Sequence, residues 1–79
     1  MINILVVEDD ERLNFAVCCF LNENGYHAIS CKNAMDAFDK IAEESVHMIV
    51  SDIMMPEMDG FEFAKEIRKQ DVQIPILFM

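Results

Sequence analysis

The 79-residue chain has no tryptophan, two glycines, two prolines and only six lysines and arginines. Each shortage excludes something. Sites that hold a nucleotide phosphate put glycines and free backbone N–H groups at the first strand-to-helix turn, and here that turn reads "EDDE". Fifteen acids against six bases give a net charge of −9, which argues against direct nucleic-acid binding, since that needs a basic face. Cys18, Cys19 and Cys31 match no zinc spacing, and an odd count gives no disulfide framework. Reduced thiols in a cytoplasmic protein are the expectation. The opening "MINILVVEDD" has no basic region and turns acidic early, unlike a signal peptide. No apolar run is long enough to span a membrane. No membrane partner and no nucleic-acid partner are expected for this segment.

What is present is a regular alternation. Short apolar runs stand at 2–7, 26–31, 47–52 and 74–79. Helical patterns lie between them. The first is expected from Glu11 to Asn24, with Leu13, Ala16, Val17, Phe20 and Leu21 on one inward face and Gly25 as the stop. The second is expected to begin at Asn33 as N-cap, with Ala34, Ala37, Phe38 and Ile41 inward. The third is expected to begin at Asp59, with Glu62 at the capping-box position and Phe61, Ala64 and Ile67 inward. Phe15 and Phe63 fall off these faces, and the sequence leaves open whether they are surface aromatics or part of a partner face. His27 and His47 have no metal-ligand company. The order β-α-β-α-β-α-β implies a parallel sheet covered by helices, joined by right-handed crossovers.

In such sheets ligands bind beyond the carboxyl ends of the strands. The first strand ends in Glu8 and Asp9, the third in Asp52. These acids converge if the two strands are neighbours. Two carboxylates about 4 Å apart repel by about 4 kcal/mol at an effective dielectric of 20, so three together need protons or a cation. Hard carboxylate oxygens suit Mg2+. Asp52 could then act as a nucleophile and form an acyl phosphate. Asp10 and Glu11 need no such role, because acids at a helix start match the dipole. After Asp52, Pro56 pushes Met55 toward extended backbone, and Asp59 and Gly60 open a helix.

"ILVVEDD", "IVSDIMMPEMDG" and "IPILFM" resemble the receiver domain of bacterial two-component response regulators over the whole chain. The resemblance implies a flavodoxin-like, doubly wound α/β sheet, here truncated to four strands in the order 2-1-3-4. It implies Asp52 as phosphoacceptor. It implies Mg2+ held by Glu8, Asp9, Asp52 and the backbone carbonyl of Met54, and a sensor histidine kinase as partner. Pro56 and Gly60 match the loop that follows. In the family a Thr or Ser follows the last of these runs and a Lys lies after a fifth strand. By that comparison residues 1–79 are a partial receiver of about two-thirds length, without an output domain and impaired in switching. The remainder would be roughly 40 residues.

Other classes compete. A phosphohydrolase with an Asp nucleophile usually wants a second acid two residues on, where this chain has Met54; the expectation is therefore a signalling module and not an enzyme. A fragment that is never phosphorylated and self-associates is the runner-up. It would form a homo-oligomer through the edge of the fourth strand or by exchange of elements.

Overall fold

A computed structural model describes residues 1–55, 58–70 and 73–79. Its elements are β1 (Asn3–Val7), α1 (Glu11–Glu23), β2 (His27–Cys31), α2 (Ala34–Glu43), β3 (Met48–Ser51), α3 (Gly60–Lys69) and β4 (Ile76–Phe78). Each strand is one to three residues shorter than its apolar run. The four strands form one sheet in the order β2-β1-β3-β4, and every neighbouring pair is parallel. This is the expected 2-1-3-4 order. Pro56, expected to push Met55 toward extended backbone, lies outside the described residues. Among the described residues no helix is long and apolar enough to cross a membrane.

Local chemistry fixes the helix ends. The Asp10 carboxylate accepts the N–H groups of Arg12 (2.9 Å) and Leu13 (3.2 Å) at the start of α1. Asn33 does the same for Asp36 at 2.9 Å, and Asp59 for Glu62 at 2.8 Å. Each such cap contributes about 1 kcal/mol. After α1 the chain reverses at Gly25, whose φ of +87° is a left-handed conformation that glycine adopts without a side-chain clash.

The strands alternate their side chains between two faces. Leu5, Val7, Ile29, Cys31 and Ile49 pack with Ala34 and Ala37 of α2 and with Phe63 and Ile67 of α3. Phe38 and Ile41 of α2 pack against this cluster, as their spacing predicts. On the opposite face Ile4 and Val6 are buried, where α1 packs on β1 and β2.

Two expected helix faces are corrected. In α3, Phe63 is fully buried while Phe61 is 62% exposed. Phe63 meets the ring of Phe38 with centroids 5.4 Å apart, and Phe61 instead lies against Phe78 at 5.2 Å. Ala64 is half-buried and Ile67 buried, so the inward stripe is Phe63–Ile67, a step of four residues. In α1, Leu13, Ala16 and Phe20 are exposed, whereas Val17 and Leu21 are half-buried. The buried position is Asn14, because the strand ends beneath α1 present carbonyl groups that an amide can satisfy. Phe15 is exposed.

Candidate acidic site at the strand ends

Val7 and Ser51 are register partners on neighbouring β1 and β3. The ladder runs one bond further, from the Asp52 N–H to the Val7 carbonyl at 3.0 Å. Glu8, Asp9 and Asp52 therefore leave the sheet side by side. One carboxylate oxygen from each lies within 4.8 Å of the other two. The sequence placed these acids at strand ends, and the parallel β1–β3 pairing brings them together.

Their environments differ. Asp9 is exposed and Asp52 half-buried, but Glu8 is only 3% exposed. Oε1 of Glu8 accepts the Asp10 N–H at 3.3 Å. Oε2 is buried and has no hydrogen-bond partner among the described residues. Burial pushes the Glu8 carboxyl up to about 7, helped by contact with Asp52 and by the charges of Asp52 and Asp9; the Asp10 N–H opposes the rise. A buried carboxylate oxygen without a donor is costly, and the cost falls if a proton or a cation occupies the space between the acids.

The loop after β3 shapes the rest. Oδ1 of Asp52 accepts the Met54 N–H at 3.1 Å, so Met54 touches the site through its backbone. The residue as a whole is 78% exposed. Asp9, Met54, Met55 and Asp59 line one open cleft. Asp59 is engaged in capping α3 and stands outside the three-acid cluster. Gly60 closes the loop, its N–H donating to the Ile53 carbonyl at 2.7 Å.

Asn14 escaped the sequence reading. Its Nδ2 donates to the carbonyls of Glu8 and Cys31, both at 3.0 Å, and its Oδ1 accepts from Ser30 and Cys18. Apolar periodicity gives no signal for a buried amide.

Known proteins share this fold. The family profile described as "Response regulator receiver domain" matches residues 4–79. The response regulator RR06 of Streptococcus pneumoniae is 40% identical over 95% of this chain, which covers 35% of that protein. The receiver protein CpdR of Brucella abortus is 34% identical over the whole chain, which covers 66% of its length. The chain thus spans from about a third to two-thirds of these relatives. Among solved structures, the Vibrio cholerae chemotaxis protein CheY4 superposes with a TM-score of 0.94 at 32% identity, over 99% of this chain and 67% of that one. Thermotoga maritima TrrA, solved in complex with Mg2+–BeF, gives 0.86 at 34% identity, over 99% and 70%. A match that runs from the first strand to the last, on the same fold, makes this chain a member of the response regulator receiver domain family.

Proposed function

We propose that the chain is a phosphoacceptor module of two-component signalling, taking a phosphoryl group from a histidine kinase onto Asp52 with the help of Mg2+. The observation that carries this reading is the trio Glu8, Asp9 and Asp52, with one oxygen each within 4.8 Å and a buried Glu8 Oε2 that has no hydrogen-bond partner among the described residues. The donor set fits a hard divalent cation, which takes carboxylate and carbonyl oxygens. Glu8, Asp9, Asp52 and the Met54 carbonyl would hold it. When bound, the ion supplies charge neutralisation for the incoming phosphoryl oxygens.

The residues of the chain do the rest. The Met54 N–H holds Oδ1 of Asp52 and orients the carboxylate. An Asp52 oxygen attacks phosphorus, the bond from phosphorus to the donor breaks, and an acyl phosphate forms. The leaving imidazole of the kinase keeps the electron pair. That Met54, not an acid, stands two residues after Asp52 supports a module that holds its phosphoryl group over a phosphohydrolase that turns over.

The test is intact mass after incubation with Mg2+ and a small acyl phosphate, beside Asp52→Asn. A gain of one phosphoryl group in the parent alone is the expected result. No gain from the folded parent overturns the reading.

A second reading, an assembly fragment, is favoured by one observation. β4 borders the sheet, and its central residue Leu77 is 54% exposed. A bordering strand with an apolar side chain is a template for another chain.

A further inference from the structure

We infer that Asn14 is a positioning residue for the acidic cluster, holding the Glu8–Asp9 peptide so that both carboxylates face Asp52. The inference rests on the metal-binding reading above.

The β1–β2 register ends at the pair Val7 and Cys31. Beyond it the Glu8 N–H still donates to the Cys31 carbonyl at 3.0 Å. The next acceptor, the Glu8 carbonyl, lies past that register and needs a donor. Asn14 supplies one. Nδ2 carries two protons, and it donates to the Glu8 carbonyl and the Cys31 carbonyl, each at 3.0 Å. Both peptide groups of Glu8 are thereby tied to one point, the Cys31 carbonyl, once directly and once through the amide. The Glu8 carbonyl and the Asp9 N–H share a planar peptide unit. Fixing that plane fixes the Asp9 N–Cα bond, so a single rotation about that bond sets the direction in which the Asp9 side chain leaves the backbone.

The amide is itself held. Ser30 Oγ donates to Oδ1 at 2.7 Å and Cys18 Sγ at 3.3 Å. The Asn14 N–H donates to the Asp10 carbonyl at 2.9 Å. A side-chain amide offers two donors and one carbonyl acceptor, and here all are used: the donors by Glu8 and by Cys31 of β2, the acceptor by Ser30 of β2 and Cys18 of α1. With 5% exposure the group is screened from competing water. A leucine has the same branched shape, though it is larger, and would leave the Glu8 carbonyl without its donor. The role resembles that of the outer partners that orient metal ligands, whose loss weakens metal affinity by roughly tenfold to a hundredfold.

An anchor that merely attached α1 to the sheet would use either side of the amide equally. The two roles separate when Asn14→Leu, which removes the donors, is compared with Ser30→Ala, which removes a bond on the oxygen side. Both variants of the 79-residue chain are titrated with Mg2+ by calorimetry, and their thermal midpoints are recorded. The expected result is an affinity at least tenfold weaker in Asn14→Leu and a clearly smaller loss in Ser30→Ala, whatever their midpoints. Equal affinity in the parent and a folded Asn14→Leu overturns the positioning role and leaves the metal reading standing. A folded parent that binds no Mg2+ overturns the metal reading, and the positioning role falls with it. If Asn14→Leu does not fold, Asn14→Gln replaces it. The amide is kept but set one methylene farther out, with the same loss of affinity expected and parental affinity overturning the role.

Discussion

Gly60 lies directly against the backbone of Asp52. A Cβ at Gly60 would stand 2.7 Å from the Asp52 carbonyl oxygen and 2.9 Å from the Ile53 Cα. Neither is the end of a flexible side chain, so neither can move without shifting the loop that follows the proposed phosphoacceptor. The requirement at this position is close approach, and no left-handed backbone is involved.

Gly60→Ala is therefore expected to destabilise the fold by about 1–3 kcal/mol, the usual cost of overpacking, and to displace the Asp52–Ile53 peptide. Chemical denaturation gives the first quantity. A slower phosphoryl gain in the intact-mass assay gives the second. Parental stability and rate in Gly60→Ala would show that the loop absorbs a methyl group.

The raised Glu8 carboxyl predicts a pH dependence whose sign can be worked out. Its folded value, about 7, lies above the ordinary 4.5, so the folded state binds the proton more tightly than the unfolded state. The associated stability is fully present below about 4.5 and is lost as pH rises through about 7. In metal-free buffer the thermal midpoint should fall between pH 5 and pH 8, and Glu8→Gln should flatten that fall. Mg2+ competes with the same proton, so its affinity should rise over the same interval. A midpoint that climbs steadily to pH 8 without metal would contradict this account of the buried carboxyl.

Phe61 and Phe63 make a paired test of the α3 packing. Phe63 is fully buried, and truncating such a ring costs about 3–5 kcal/mol, a large part of the stability of any small domain. Phe61 is largely exposed, and its tilted ring pair with Phe78 contributes about 0.5–1.5 kcal/mol. Phe63→Ala should be largely unfolded by circular dichroism, while Phe61→Ala should shift the urea midpoint slightly. Similar losses in both would mean that α3 presents both rings to the core.

This contrast shows what the sequence could reveal. α2 carries a single apolar ridge, Ala34, Ala37, Phe38 and Ile41, and its inward face was legible. α3 carries two, through Phe61 and through Phe63, and spacing alone does not choose between them. The choice comes from the tight seat of Gly60 on the Asp52–Ile53 backbone and from the Phe38 ring that receives Phe63. α1 is the same case with a polar answer, because Asn14 meets two carbonyls that no periodicity reveals. The acids were legible for a different reason. Their positions depend on where strands end, which chain order nearly fixes. That strands 1 and 3 are neighbours does not follow from alternation and came from the family resemblance.

The surface of the sheet gives the last expectation, self-association. Val6, Val50 and Leu77 are successive register partners across β1, β3 and β4. Val6 and Val50 are buried, but Leu77 at the border is 54% exposed. On the same molecule Leu13, Phe15 and Phe20 of α1 are exposed. Apolar area of this kind favours association, while a net charge of −9 opposes it through mutual repulsion. Salt screens the repulsion over about 10 Å at 0.1 M and leaves the apolar gain in place. Light scattering should therefore show an average mass that rises with concentration, and rises further with added salt. Leu77→Lys puts a charge on the bordering strand, a common device against edge pairing, and should lower the mass toward that of one chain. A monodisperse monomer at high concentration and high salt would sink the assembly reading. Association that survives Leu77→Lys would move the contact from β4 to the exposed ridge of α1.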